Sequence, residues 1–381
     1  MTPPPPGVRR LPTLTGLRFA AAALVLLGHL NLSPAFVPPA RIAVSFFFVL
    51  SGFVLTWSAR ENDPLRRFWR RRFWKILPNH VVTWGLMLAV VAVSGLPASP
   101  ALPPGATPPA SAVANLALLH AWFPATTLLS SVNPVSWSLC SELLFYALFP
   151  AILPLVLRIP ARRLGVAAAA VVVLTWLVPV AALLFSGPVH VPGSPGMPVS
   201  QYWFAYYFPP SRLPEFLLGM VLARMVHSGL LPRIGVTVPS LGIGVLLAAA
   251  TAALPLHFTF AAATIIPVAL VVLGAAAMDV RGVRSFWNLR ATVFLGEISF
   301  ALYLVHPPVI VAYNRLVGGP SRAAIGVAGT GLVLATLCLL AAWALHRFVE
   351  RPLMWRFGSG RAFATSRDTV RALAKSGPAR L

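Results

Sequence analysis

Apolar residues along this chain come in long blocks, not in the alternating rhythm of a half-buried strand. Ten blocks of about twenty residues occupy 15–31, 41–59, 78–96, 138–157, 165–186, 208–226, 235–253, 258–277, 291–313 and 323–345. At a rise of about 1.5 Å per residue, each can cross a hydrocarbon core of about 30 Å as a helix. The pattern predicts an all-α polytopic membrane protein with about ten transmembrane helices. An eleventh stretch, 111–123, is too short and is bounded by Pro108, Pro109 and Pro124, which predicts one short re-entrant or interfacial helix. The first block contains Arg18 and His29 and lacks a small-residue cleavage site, so it reads as a membrane helix and not as a signal peptide.

Composition agrees and adds an orientation. Of 381 residues, 58% are hydrophobic and 10% are charged, against about 25% charged in a soluble domain. A soluble globular fold and disorder are both excluded. The net charge of +22 would point to nucleic acid in a soluble protein. Here the bases sit in short connections between apolar blocks, which excludes that partner and sets the topology. With the N-terminus inside, residues 60–75 fall inside, as do Arg158, Arg162, Arg163, Arg224, Arg233, Arg281, Arg284 and Arg290; the outer connections keep Arg41, Arg212, Arg315 and Arg322. This predicts a cytoplasmic N-terminal tail at 1–11, a transmembrane domain at 12–352 and a disordered cytoplasmic C-terminal tail at 353–381, in a bacterial cytoplasmic membrane. Segments 97–110 and 187–200, rich in Pro with Ala or Gly, read as irregular outer covers. The two cysteines, Cys140 and Cys338, lie in apolar blocks, and no Cys/His spacing suggests a metal site.

Ionisable groups inside membrane spans are costly and therefore candidates for function. Arg18 and His29 lie eleven residues apart on one span, about 16 Å, with His29 toward the outer side. A neutral imidazole there can take a hydroxyl proton and return it to a leaving group. Glu142, one turn into its span, can orient that ring, or serve as an ion pair that holds the bundle. Arg212 and Glu215, at i,i+3, read first as a structural pair. Tyr303 and His306 share a helix face; the ring of His306 can instead satisfy backbone freed at Pro307 and Pro308, where the helix must kink or shed hydrogen bonds. The connection RRFWRRRFWKILP holds Arg66, Arg67, Arg70, Arg71, Arg72 and Lys75 among Phe68, Trp69, Phe73 and Trp74. It is a positive-inside anchor, or a cradle for a phosphorylated carrier. A polyphosphate head held there, with an arm of about 15–20 Å, would reach His29. Coenzyme A has that form.

Four blocks carry a resemblance to the integral-membrane acyltransferase-3 family. The stretch from Gly16 to His29 resembles its first-helix signature, with the Arg before the His. FFFVLSGFVLTW, leading into the arginine-rich connection, is similar to the second block. VSWSLCSELLFYALFP resembles the block matched here by Trp137, Ser138, Leu139, Glu142, Phe145 and Tyr146. LGEISFALYLVHPP resembles the late block through Gly296, Ser299, Tyr303, Leu304 and His306. The chain departs from the pattern at Phe300, where Tyr is usual, and at Lys75, where Arg is common. The resemblance spans residues 12–352. It implies a ten-span bundle and acyl-CoA, most simply acetyl-CoA, as co-substrate. It also implies His29 as the essential histidine, with Glu142 beside it and Arg18, Arg67, Arg70, Arg71, Arg72 and Lys75 on the carrier's phosphates. Trp137, Ser138, Tyr146, Arg212, Glu215, Tyr303 and His306 support the site or bind substrate, and Tyr303 or Ser138 would donate to an oxyanion. The expected reaction is O-acylation of a glycan, glycolipid or glycosylated metabolite, directly or through an acyl-His29 intermediate. A transporter or flippase for a lipid-linked or glycosylated substrate is the competing expectation from a different class.

Overall fold

The computed structural model describes residues 11–59, 63–94, 108–188 and 196–358. The expected N-terminal tail up to residue 10, most of the 97–110 cover, half of the 187–200 cover and the C-terminal tail from residue 359 lie outside them. Twelve main helices follow one another: α1 (Pro12–His29), α2 (Val37–Trp57), α3 (Leu65–Ser94), α4 (Pro109–Leu116), α5 (Trp137–Leu157), α6 (Leu164–Ala182), α7 (Leu213–His227), α8 (Thr237–Ala253), α9 (Ile265–Val280), α10 (Arg290–Glu297), α11 (Ser299–Leu316) and α12 (Gly318–Leu345). Among the described residues, seven helical segments are long and apolar enough to cross a membrane, or eight if the bent pair α10–α11 is one span. The other two expected spans fall on the shorter α7 and α8, of 15 and 17 residues. The protein is all-α and polytopic.

Two glycine contacts set how closely the central helices approach. A methyl group on Gly52 would overlap the Phe216 carbonyl, and one on Gly219 would overlap the Val49 carbonyl. Small residues thus let the backbones of α2 and α7 touch. Gly16 and Gly296 do the same where α1 meets Trp287 and α10. The start of α1 is fixed by Asp279, at the end of α9, which accepts from Thr13 N at 2.9 Å and Leu14 N at 3.4 Å. A carboxylate from another helix thereby satisfies donors that a helix start leaves free.

Two expectations are corrected. The arginine-rich block is not a connecting loop: it forms the first turns of the 30-residue helix α3, and Pro78 lies inside that helix. Nor is residue 353 the start of a disordered tail, because helical turns continue through Met354–Gly358, and Phe357 stacks on Trp74 of α3 at 4.5 Å. At Pro307 and Pro308, where a kink or shed hydrogen bonds are expected, the helix takes the second course, as α11 runs through both. The bend, of 59°, falls between α10 and α11. There the Ser299 hydroxyl donates to the Gly296 carbonyl at 2.7 Å. The helix survives its prolines because the carbonyl left without a donor by Pro308, that of Leu304, accepts from Asn133 Nδ2 at 3.0 Å.

Asn133 belongs to the short segment between α3 and α5. Its helix α4 packs on α3, where His80 Nε2 meets the Asn115 and Leu116 carbonyls at 3.2 Å and Trp84 Nε1 donates to the Ala112 carbonyl. Asn115, His120, Asn133 and Ser136 are fully buried. Non-helical backbone is tolerated at such depth when protein surrounds it, and this segment turns its polar groups into the bundle.

Candidate active site

His29 is the last residue of α1, and its ring is exposed to a cavity of about 180 Å³ walled by Arg41, Trp137, Tyr202, Tyr206, Tyr207 and Tyr303. The ring's Nδ1 lies 2.8 Å from the Val25 carbonyl oxygen. A carbonyl can only accept, so Nδ1 carries the proton of the neutral ring and Nε2 keeps its lone pair. The helix itself therefore selects the tautomer. The expected contact with Glu142 is absent: Glu142 accepts from the Tyr146 hydroxyl at 2.7 Å, and the charges nearest to it are Arg18, Lys75 and Arg72. His29 instead meets His306, ring centroids 4.9 Å apart at 60°.

Tyr303 stands beside the pair, with its ring 6.1 Å from that of His306. Its hydroxyl lies 2.9 Å from both the Val135 carbonyl and Ser138 Oγ. The single phenol proton goes to the carbonyl, and Ser138 donates to the phenol oxygen. Neither group has a proton left for an oxyanion, so both serve as wall supports. The hydroxyls of Tyr202, Tyr206 and Tyr207 make no hydrogen bond among the described residues. Burial and neighbouring phenols hold Tyr206 and Tyr207 above their ordinary range, so they remain protonated donors. Trp203–Tyr207 is a turn of π-helix, an element frequent at functional sites.

Arg212 and Glu215 form the expected pair at 3.0 Å, each 1% exposed. Arg212 also donates to Ser45 Oγ at 3.0 Å and sits 5.4 Å over the Tyr206 ring. The pair braces the cavity wall and does not itself line the cavity.

The basic residues divide into two sets. Arg71 is paired with Asp63 and Lys75 with Glu350, which also accepts from Asn79 Nδ2 at 2.8 Å. Arg72 lies over Phe68 at 5.6 Å and Tyr146 at 5.8 Å, turned toward the interior. Arg66 and Arg70 are exposed and Arg67 is half-buried, and none has an ion-pair partner among the described residues. Arg18 is half-buried near Glu350 and Glu142. From Arg18 to Val25, the cavity's lowest residue on α1, the helix rises about 10 Å. No residue of α3 lines the cavity.

Residues missed in the sequence complete the site. Tyr202, Tyr206 and Tyr207 were legible as an aromatic run but carried no charge to draw notice. The carboxylates Asp63 and Glu350 lay outside the spans searched. His120 bridges Ser136 and Cys140, and burial pushes its imidazole down to about 3, so it is a neutral strut.

A helical membrane bundle with an imidazole on the wall of a cavity and a helix rich in cations has parts that a group-transfer enzyme can use. Comparison with known proteins fixes the class. The family model described as an acyltransferase domain matches residues 11–347, and the chain belongs to that family. It is similar to the acyltransferase MdmB of Streptomyces mycarofaciens, 40% identical across 96% of this chain and 97% of that one. It is also similar to the putative peptidoglycan O-acetyltransferase YrhL of Bacillus subtilis, 27% identical across 91% of this chain and 55% of that one. The peptidoglycan O-acetyltransferase OatA of Listeria monocytogenes matches at 30% identity, over 39% of this chain and 25% of its own. No solved structure matches. The protein is a membrane O-acyltransferase.

Proposed function

We propose that the acyl donor is acyl-CoA, most simply acetyl-CoA, drawn from the cytoplasm, and that the acceptor is a hydroxyl of a glycan, glycolipid or glycosylated metabolite. The observation that carries this reading is the placement of His29, whose Nε2 lone pair is free and exposed to an aromatic cavity. Aromatic faces and phenol donors suit a ring that bears hydroxyls. The positive-inside bias puts the basic end of α3 in the cytoplasm, with both termini, in the cytoplasmic membrane of a bacterium. The exposed Arg66 and Arg70, with Arg67, then face the phosphates of the carrier, while Trp69 and Phe73, both exposed, offer faces for its base. The carrier's arm enters beside α1, from Arg18 toward Val25, as the donor binds.

The reaction follows from these positions. Nε2 of His29 takes the proton of the acceptor hydroxyl while the oxygen bonds to the thioester carbonyl carbon. The carbon–sulfur bond breaks, and the thiolate receives the proton from the imidazolium. The phenols of Tyr206 and Tyr207 are the donors best placed for the developing oxyanion. Direct transfer fits this geometry because the lone pair that would carry an acyl group is the one the hydroxyl needs. The test is release of free coenzyme A by the purified protein from acetyl-CoA and longer acyl-CoAs with a panel of hydroxyl acceptors, beside His29→Ala. Acceptor-dependent release by the wild type and its loss in the variant are expected. Release equal in both would remove His29 from the reaction, and no release with any donor would remove acyl-CoA.

A further inference from the structure

The surroundings of His29 pose a physical problem. On taking a proton the ring becomes a cation in a chamber walled by aromatics and by the cation Arg41, and no carboxylate is in contact with it among the described residues. A positive charge beside another cation, with no anion to offset it, is disfavoured even where the ring is exposed to the chamber. The neighbour that is present is His306, 1% exposed, with its ring against that of His29. His306 Nδ1 lies 3.1 Å from the Leu302 carbonyl oxygen, so it too carries its ring's proton on Nδ1. Its Nε2 is buried and has no hydrogen-bond partner. A buried nitrogen lone pair left unsatisfied is itself unfavourable.

We infer that His306 is the second half of the base: its Nε2 lone pair receives the N–H that His29 acquires. This rests on the reading of His29 as the proton acceptor. Before reaction two neutral rings each present a lone pair. When the acceptor's O–H bond breaks, the new N–H on His29 swings to His306, the two rings share one positive charge, and the orphaned nitrogen gains its partner. When the carbon–sulfur bond breaks, the thiolate takes that proton from the pair, which returns to neutral. His306 touches no reacting atom and is a positioning residue. The groups around it leave the role to it alone. α1 brings His29, α11 itself brings Tyr303, and α12 brings Cys338 within the apolar cluster of Leu302 and Val305. On α3, His80 is occupied by the Asn115 and Leu116 carbonyls. Asn133 is committed to Leu304.

Carbethoxylation by diethyl pyrocarbonate, which consumes the free lone pair of a neutral imidazole, tests this without donor or acceptor. The reaction of His29 is followed by mass spectrometry across pH in wild type, His306→Phe and His306→Gln. A shared proton keeps His29 protonated to higher pH in the wild type. His306→Phe should therefore lower the midpoint of reactivity by about one pH unit, a tenfold change in proton affinity. His306→Gln should lower it less, because an amide oxygen accepts the N–H without taking the proton. The acid limb of acyl transfer should move with the midpoint. Equal midpoints in the wild type and in whichever variants melt at the wild-type temperature would overturn the inference. Acyl transfer by His29→Ala equal to that of the wild type would defeat the reading of His29 as catalyst and leave the carbethoxylation midpoints to judge the pair.

Discussion

The two ends of the machinery carry their nitrogen groups in opposite ways. On α3 the cations are numerous, and several are matched by carboxylates of the chain: Arg71 by Asp63, Lys75 by Glu350, with Arg18 and Arg72 near Glu142. At the cavity the nitrogens that matter are two imidazole lone pairs fixed by helix carbonyls, that of His29 on the wall and that of buried His306 behind it, among phenols, one indole and the cation Arg41. The difference teaches a division of labour. A site that grips a polyanion needs permanent charge and can keep it soluble with internal partners. A site that moves a proton needs a group able to be neutral, in surroundings that do not hold it charged.

The strongest way to break this comparison is to remove the chemistry while leaving the grip. His29→Gln should lower kcat by about 10²–10⁴, the ordinary worth of a general base, with the KM for the donor unchanged. Steady-state kinetics with the donor varied would check it. A raised donor KM with kcat retained would mean that His29 binds and does not react, and the two ends would lose their distinction.

Next in size is the scaffold that separates the ends. Asn133 crosses from the inter-helix segment to the carbonyl that Pro308 leaves without a donor, on the stretch of α11 that sets His306 beside His29. Asn133→Leu buries that carbonyl unsatisfied, at a cost of about 1–3 kcal/mol. A lower melting temperature in detergent is expected, together with reduced kcat. An unchanged melting temperature would show that water replaces the amide.

How far the sequence discloses these ends depends on the kind of evidence each leaves. The spans were legible because lipid demands about twenty apolar residues in a row, and the candidates were legible because charge in lipid is rare. Arg212 with Glu215 was read correctly as a pair, since i,i+3 neighbours on one helix need no tertiary knowledge. Partners distant in sequence were not legible. Glu142 is bonded to Tyr146 and not to His29, because depth along one helix does not tell which neighbour it faces. Whether α11 would kink at Pro307 and Pro308 or shed hydrogen bonds stayed open for the same reason, as the donor to the freed carbonyl lies on Asn133, 171 residues from Leu304. The basic block looked like a loop because hydropathy marks where lipid begins and not where the helix does.

A smaller effect sharpens the picture at the basic end. Arg67→Gln with Arg70→Gln removes cations that have no internal partner among the described residues, and should raise the donor KM about tenfold, at roughly 1.4 kcal/mol. Arg71→Gln should raise it less, because Asp63 already holds that guanidinium. Donor KM measured in the three backgrounds at one salt concentration decides this. The reverse order would mean that Arg71 leaves Asp63 when the carrier binds.

The smallest effect concerns Glu350. It holds Lys75 and accepts from Asn79, and so sets a carboxylate beside the helix that is to meet phosphates. Glu350→Gln keeps the size and one acceptor while it releases the ammonium group. Lys75 is 27% exposed at its side chain, so solvent already screens the pair and the gain is modest. The donor KM should fall by about two- to threefold, and the difference should shrink as ionic strength shortens the screening length. If the KM rises instead, or the protein melts earlier, Glu350 acts as a structural tie between the last helical turns and α3, and Lys75 belongs to the scaffold. The salt dependence separates the outcomes, since a freed cation loses its advantage in salt and a broken tie does not.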